Sequence, residues 1–343
     1  MKTLNVAVIG CGNIHHVHTA VLADIQRVRI AAVCDIKPER ARLSGEENHC
    51  SWYTDYRQML REANVDAVHI CTPHYLHAEM ALEALRLGKY VLVEKPMATS
   101  VADAQAMIAE DERQGGGHLC VVFQNRYNAA SRMMKELIDG GNYGALKCLR
   151  GMVAWRRGED YYSDDWHGRQ ALECGGVMIN QAIHTLDLVQ WLGGGAISVK
   201  GAVSTDALTG VIEVEDSAHL RMKLASGATA VFYATVGYGV DAPVEVEAVL
   251  DGATLLLRGD ELYRVDNGFE PLCTPHNAPI GSRGYWGSGH RAQVEDFYRS
   301  VQEGRPFAID GRQGIEAVKL VFGLYESSRT GREVRVAGGD CPC

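Results

Sequence analysis

Short apolar runs alternate with amphipathic stretches through the first third of the chain. Leu4–Ile9, Val28–Cys34, Asp66–Cys71, Tyr90–Val93 and Leu119–Phe123 are partly β-branched and bounded by Gly, Pro, Asp or charged residues, the pattern of buried strands. Helical periodicity fills the gaps, around 14–24, 37–44, 55–63, 76–87 and 100–114. Strand–helix alternation of this kind predicts a doubly wound parallel sheet covered on both faces. A further helix, 129–139, ends at Gly140-Gly141, and there the pattern changes. Strand signals now follow one another: Leu146–Trp155, Ile197–Ser204, Glu213–Leu224, Ala228–Val236, Val244–Leu250 and Thr254–Leu257. Turn-sized segments such as Ala225-Ser226-Gly227 and Asp251-Gly252 make neighbouring strands antiparallel. With helices at 176–192, 289–303 and 311–328, the second part reads as an α+β domain on a large, mostly antiparallel open sheet. The expected division is 1–124, 125–337 and a patternless, mobile tail at 338–343.

Composition leaves that picture intact and narrows the partners. The 343 residues suit two globular domains, and a mean hydropathy of −0.13 argues against disorder. An acidic balance, 43 Asp and Glu against 34 Lys and Arg, gives −9, so long-range attraction to nucleic acid or an anionic membrane is not expected. No stretch approaches the roughly 18 apolar residues of a membrane helix, and the first run, MKTLNVAVIG, is too short for a signal peptide. A soluble, cytoplasmic protein is expected. Ten cysteines occur without a CxxC, and Cys11, Cys34, Cys71 and Cys120 lie in or beside apolar runs. They read as buried free thiols, with Cys341 and Cys343 the pair most open to oxidation.

The first strand runs into Gly10 and Gly12 and then a helix. Gly10 would allow the tight turn, and Gly12 would let the backbone approach a pyrophosphate at the helix N-terminus. The second strand ends at Asp35, 23 residues after Gly12, close to the spacing of about 20 at which an acid binds ribose hydroxyls in a dinucleotide-binding domain. Such an acid repels the extra phosphate of NADP, so NAD is preferred, although Lys37 and Arg40 are placed to pair with that phosphate. The third fingerprint position is His15 rather than Gly or Ala, which should tilt the helix or turn the ring outward. Of His15, His16 and His18, only the 15/18 pair shares a helical face, so no metal site is assigned.

Thr72-Pro73 and Glu94-Lys95-Pro96 fall at the carboxyl ends of two further strands, the edge where open α/β sheets bind ligands. With GCGNI at the first turn, CTPHYLH at 71–77, GKYVLVEKP at 88–96, NRY at 125–127, GGVMINQAIHTLD at 175–187 and GHRAQVEDFY at 289–298, the chain resembles the Gfo/Idh/MocA family of NAD(P)-dependent sugar and polyol oxidoreductases. The resemblance implies a Rossmann domain followed by a larger domain whose open sheet commonly makes oligomer contacts, hence a homo-oligomer, dimer or tetramer. It implies NAD contacts from Gly10, Gly12, Asn13, Ile14, Asp35, Thr72, Pro73, His74, His77, Glu94, Lys95, Pro96 and Asn125.

Asn180, His184 and Asp187 are spaced by four and three residues, which would place them on one helical face beside Gly175-Gly176. Removing hydride from a secondary alcohol requires removing the hydroxyl proton, work suited to an imidazole, while a lysine stays cationic and stabilises developing alkoxide. By resemblance His184 is the general acid/base and Lys95 its electrostatic partner, with Asn180 standing where many relatives carry Asp. Asn180 orients a hydroxyl or the imidazole but carries no charge, so His184 should be less basic than beside a carboxylate. Substrate contacts are expected from Arg126, Tyr161, Tyr162, Trp166 and Arg169, and more weakly from Tyr285, Trp286 and His290. Arg156 and Arg157 would meet a phosphate or uronate. The substrate is then a pyranose, glycoside or nucleotide sugar. Two alternatives stay open: redox-neutral glycoside cleavage through transient oxidation and elimination, and a non-catalytic NAD-binding regulator.

Overall fold

The computed structural model describes residues 2–274 and 289–338; Tyr285, Trp286, Cys341 and Cys343 lie outside them. The chain forms two compact units, Met1–Val122 with Arg291–Ile315, and Phe123–His290 with Glu316–Cys343. A single cut near 124 therefore does not describe the packing, because residues 291–315 return to the first unit.

In the first unit, β1 (Leu4–Ile9), α1 (His15–Asp24), β2 (Val28–Cys34), α2 (Pro38–Glu47), β3 (Ser51–Tyr53), α3 (Tyr56–Glu62), β4 (Ala67–Ile70), α4 (His77–Arg86), β5 (Tyr90–Val93), α5 (Val101–Arg113) and β6 (Leu119–Val121) alternate as the sequence pattern predicts. The strands form one sheet in the order β3-β2-β1-β4-β5-β6, every pair parallel. All four residues of β4 and three of the four in β5 are buried, as a sheet covered on both faces requires. Helix starts are locally encoded: the Asp55 carboxylate accepts from the N–H groups of Arg57 and Gln58, and the Ser100 hydroxyl accepts from that of Asp103. The edge strand β3 is the element that periodicity misses, since three residues carry no alternation.

The second unit contains α6 (Ala129–Asp139), β7 (Leu146–Ala154), α7 (Gln170–Glu173), α8 (Ile183–Leu192), β8 (Ala196–Ser204), β9 (Ser217–Leu224), β10 (Thr229–Thr235), β11 (Glu245–Leu250), β12 (Thr254–Arg258), β13 (Glu261–Arg264) and β14 (Glu270–Cys273). After them come α9 (Gly289–Glu303), α10 (Gly311–Thr330) and β15 (Val334–Arg335). The nine-stranded sheet runs β14-β13-β12-β11-β7-β10-β9-β8-β15, antiparallel except for the β7–β10 pair. Burial alternates strictly along β9 and through most of β10, so this sheet is covered on one face only. Its other face carries Val231 and Tyr233, both exposed.

Two boundaries differ from the sequence reading. The helix expected over 176–192 begins at Ile183, and 176–182 form turns. The strand expected from Glu213 begins at Ser217. The buried Glu215 ties the two segments together: its carboxylate accepts from the N–H groups of Gly176 (2.8 Å) and Met178 (3.0 Å) and from the Tyr325 hydroxyl (2.9 Å). Gly176 is required there, because a Cβ would stand 1.8 Å from the Glu215 carbonyl oxygen. Burial raises the Glu215 pKa, and the backbone N–H donors oppose that rise. Among the described residues, no helix is long and apolar enough to cross a membrane.

Candidate active site

The carboxyl edge of the first sheet brings together the expected cofactor residues of the first unit. β1 runs into Gly10, which has φ +93°, donates its N–H to the Cys34 carbonyl at 2.8 Å, and sits so close to the end of β4 that a Cβ would lie 2.5 Å from the Cys71 carbonyl oxygen. Only glycine fits both demands. At Gly12 a Cβ would meet nothing within 4 Å, so this backbone borders open space ahead of α1. Asp35 follows β2 directly, and its two carboxylate oxygens accept from the N–H groups of Cys11 and Lys37, each at 2.8 Å. The acid is thereby tied to the glycine turn. Asn13 is exposed and Ile14 half-buried at the start of α1.

His77 joins the next two strand ends. Its Nδ1 lies 2.7 Å from the Pro96 carbonyl oxygen and its Nε2 2.8 Å from that of Thr72, which pins the loops after β4 and β5 together. Burial lowers the His77 pKa, against the pull of those two carbonyls. Pro73 opens the short turn His74–Leu76, and His74 is buried with its ring 6.0 Å from that of His77. Glu94 is buried, and Lys95, half-buried, precedes Pro96 through a cis peptide bond.

Of the two expectations for His15, the outward-turned ring is overturned. The ring points inward, fully buried, with Nε2 2.6 Å from the Ser44 hydroxyl on α2. Burial, reinforced by His16 and His18, lowers its pKa to about 4, so the ring is neutral. A neutral imidazole therefore fills the space between α1 and α2 that a smaller third fingerprint residue would leave.

In the second unit the polar groups sort differently from their spacing. His184 lies in the first turn of α8, half-buried, with its Nε2 3.4 Å from the Gln124 amide nitrogen and its ring edge-on to Phe123. Asn180 precedes the helix rather than sharing its face, and its amide donates to the buried Glu173 carboxylate at 2.6 Å. Asn125 is half-buried in the turn Gln124–Tyr127. Tyr161 accepts at its hydroxyl from Asn180 (3.4 Å) and Gln181 (3.3 Å) and lies 3.3 Å from His167 Nε2, while His167 Nδ1 lies 2.5 Å from Asp164. Burial and the Glu173 charge push the Tyr161 phenol up to about 12, so it stays a hydroxyl. Trp166 is half-buried, with its ring centroid 3.8 Å from that of His167.

Several residues expected at the substrate have partners or burial of their own. Arg126 is buried and bound at two points to Asp187, through Nε (2.6 Å) and Nη2 (2.5 Å), so both groups belong to an internal ion pair. Tyr162 is buried in the core, edge-on to Tyr161. Arg169 is exposed and pairs with Glu213 at 3.7 Å. Arg157 is buried and held by Asp241 at 2.8 Å. The buried acids Glu173 and Glu215, which organise this region, were not among the expected residues; the only sign of them is acidic side chains inside otherwise apolar surroundings.

Residues 4–122 match the NAD-binding Rossmann-fold domain of the Gfo/Idh/MocA oxidoreductase family, residues 131–255 a GFO/IDH/MocA C-terminal domain, and residues 266–336 the oxidoreductase family C-terminal alpha/beta domain. Myo-inositol 2-dehydrogenase of Thermotoga maritima is 24% identical over 97% of this chain and 98% of its own. Levoglucosan dehydrogenase of Pseudarthrobacter phenanthrenivorans is 26% identical over 96% and 97%. Among solved structures, the WlbA dehydrogenase of Bordetella pertussis, in complex with NADH and UDP-GlcNAcA, superposes with a TM-score of 0.87 at 26% identity, covering 99% of this chain and 100% of that one. The chain belongs to the Gfo/Idh/MocA family of oxidoreductases.

Proposed function

We propose that this protein is an NAD-dependent oxidoreductase that interconverts a secondary hydroxyl and a ketone on a sugar-type substrate. The observation that carries the reading is the edge formed by Gly10, Gly12 and Asp35. It offers a turn that only glycine can make, open space beside the next glycine, and a carboxylate held by two backbone N–H groups at the end of β2. A pyrophosphate fits the first two features and a ribose diol the third. A 2′-phosphate would meet the Asp35 charge, which favours NAD over NADP. The dehydrogenases for inositol and levoglucosan among the relatives, and the NADH and UDP-sugar bound to WlbA, support both the cofactor and the substrate class.

When bound, the nicotinamide accepts or returns the hydride. In the oxidation direction His184 takes the hydroxyl proton as the carbon loses its hydride, and in reduction it gives that proton back. The Lys95 cation stabilises the developing alkoxide. Tyr161 and Trp166 supply a hydroxyl and an aromatic face of the kind that a pyranose ring uses, and Asn180, bonded to Glu173, holds the Tyr161 hydroxyl in place. Asn125 and the loop residues Thr72, Pro73 and His74 complete the proposed cofactor contacts.

The test is a screen of the purified protein with NAD and NADP against inositols, hexoses, uronates, glycosides and nucleotide sugars, with products followed alongside nicotinamide absorbance. Nicotinamide turnover with one of these substrates supports the reading; products formed without it point to redox-neutral cleavage. Lys95→Ala and His184→Ala should each lower turnover by about two orders of magnitude or more while NADH binding stays nearly intact. Wild-type turnover in either variant rejects the assigned role.

A further inference from the structure

β4 reads as an uninterrupted buried strand, yet its third residue is His69, fully buried. A buried imidazole must satisfy both ring nitrogens. His69 Nε2 lies 2.7 Å from the Tyr298 hydroxyl on α9, and His69 Nδ1 lies 2.8 Å from His18 Nδ1 on α1. His18 Nε2 in turn lies 2.9 Å from Glu94 Oε1, and Glu94 Oε2 accepts the N–H of Lys95 at 3.3 Å. Tyr298 is 1% exposed, His18 and His69 are 0% and Glu94 is 7%, so four titratable groups form a line inside one unit.

Counting protons gives the line a direction. An ionised Glu94 only accepts, so His18 carries its proton on Nε2 and presents a lone pair at Nδ1. His69 must then carry its proton on Nδ1 and present a lone pair at Nε2, which the Tyr298 O–H fills. Both rings are neutral in this arrangement, since a proton on His18 Nδ1 would set two N–H groups against each other across 2.8 Å. Turning His69 round, with His18 protonated on both nitrogens beside an ionised Glu94 or with Glu94 itself protonated, would take away the acceptor of the phenol O–H, whose one partner among the described residues is His69. Burial holds the Tyr298 pKa well above the usual phenol range, so this end keeps its proton. The line also ends in the core at Tyr298, so it leads no proton to solvent. What it delivers is a fixed carboxylate.

We propose that Tyr298, His69 and His18 are positioning residues, a one-way donor chain that holds Glu94 as an oriented anion and, through the Lys95 N–H, sets the backbone on which Lys95 rides. Its relevance to turnover rests on the dehydrogenase reading; the existence of the chain does not. Positioning groups of this kind act on turnover rather than on affinity, because small displacements of a reacting group are costly while binding contacts stay in place.

The experiment uses the full chain with nitrogen-15 in its imidazole rings. Long-range proton–nitrogen spectra at neutral pH are recorded without cofactor for the wild type and Tyr298→Phe, with His18→Gln and His69→Gln to assign the signals. The wild type should show His69 protonated at Nδ1 and His18 at Nε2, each as a single tautomer. In Tyr298→Phe, which keeps the ring and removes the donor, His69 should stay protonated at Nδ1, because His18 still dictates it, while its Nε2 resonance moves to the position of an unbonded lone pair. Averaged or doubly protonated rings in the wild type, or an unmoved His69 Nε2 in the variant, overturn the proposal. Should Tyr298→Phe fail to fold, the wild-type spectra decide alone: any tautomer other than Nδ1–H at His69 and Nε2–H at His18 overturns the proposal. In turnover assays Tyr298→Phe should lose about tenfold in kcat with NADH affinity, read by fluorescence titration, within about twofold. An unchanged kcat overturns the positioning role. A wild type without turnover on any substrate rejects the dehydrogenase reading, and the tautomers then uphold or overturn the chain on their own.

Discussion

The Arg126–Asp187 pair gives the sharpest test of how this chain uses its buried charge. The side chains are 4% and 1% exposed and share two hydrogen bonds, of 2.6 and 2.5 Å. Gln190 adds a third donor to Asp187 at 3.1 Å, and the guanidinium lies 5.5 Å from the Trp191 ring centroid. At such separations the attraction is about 4 kcal/mol with an effective dielectric constant near 20, which is offset by several kcal/mol of lost hydration for each ion. The net worth of the intact pair is therefore small, but removing one member strands the other. Arg126→Met and Asp187→Leu should each destabilise by about 3–5 kcal/mol, a large share of the roughly 5–15 kcal/mol that holds a domain folded. The double variant should lose less than about 2 kcal/mol, a coupling of about 4 kcal/mol or more. Urea unfolding of the four proteins, read by tryptophan fluorescence with NADH titrations alongside, measures these differences. Single-variant costs that simply add in the double variant would refute the reasoning. So would an Arg126→Met protein of unchanged stability and raised KM, which would return Arg126 to the substrate.

Three further outcomes follow from the first unit. His15 has a folded-state pKa of about 4 against the ordinary 6.5, so the unfolded chain takes up its proton first; this contribution is complete above about pH 6.5 and falls as pH drops, by roughly 3 kcal/mol near pH 4. His15→Gln should flatten the pH dependence of stability over that range relative to wild type, and parallel curves would reject the assignment. Asp35→Ser should weaken NAD by roughly tenfold to a hundredfold, the worth of charge-assisted hydrogen bonds, and relax discrimination against NADP; unchanged affinities by titration would remove Asp35 from the ribose site. Gly10→Ala combines a φ of +93° with a Cβ 2.5 Å from the Cys71 carbonyl oxygen, so it should abolish measurable NADH binding, and wild-type affinity would show that the turn can relax.

The part of the molecule that could be read from sequence is the part whose arrangement depends on local pattern and strand order. The apolar runs of β1, β2, β4, β5 and β6 and the helices between them define the parallel sheet. Once its order is β3-β2-β1-β4-β5-β6, Gly10, Asp35, Thr72 and Glu94 must all emerge at one edge. What escaped the reading depends on partners distant in sequence. Nothing around Asn180 signals that Glu215, thirty-five residues later, would take the N–H groups of Gly176 and Met178, or that the helix begins only at Ile183. His69 sits in a strand that periodicity describes correctly, and its chemistry becomes visible only when α1 and α9 bring His18 and Tyr298 to its two nitrogens.

The same physics explains why several substrate candidates have internal partners. Arg126, Arg157 and Tyr162 carry groups that suit an anion or a sugar hydroxyl, but a side chain that suits a ligand suits an internal partner equally well. A buried guanidinium carries an unavoidable charge and is stable only beside an acid, and Asp187 and Asp241 meet that need. Tyr162 went the other way, its ring taken into the core. Tyr161, Trp166 and His167 remain half-buried in one cluster, with the Tyr161 hydroxyl held by two amides, and its pKa pushed to about 12 keeps it a neutral donor and acceptor. Such a group discriminates hydroxyl from hydrogen on a ring when a sugar hydroxyl takes over the phenol's 3.3 Å contact with His167, a bond that a deoxy analogue cannot make. Tyr161→Phe should therefore narrow the difference in kcat/KM between a sugar and its deoxy analogue by roughly tenfold or more, with the preference for NAD unchanged. An undiminished preference for the hydroxylated sugar would place substrate recognition elsewhere in the chain.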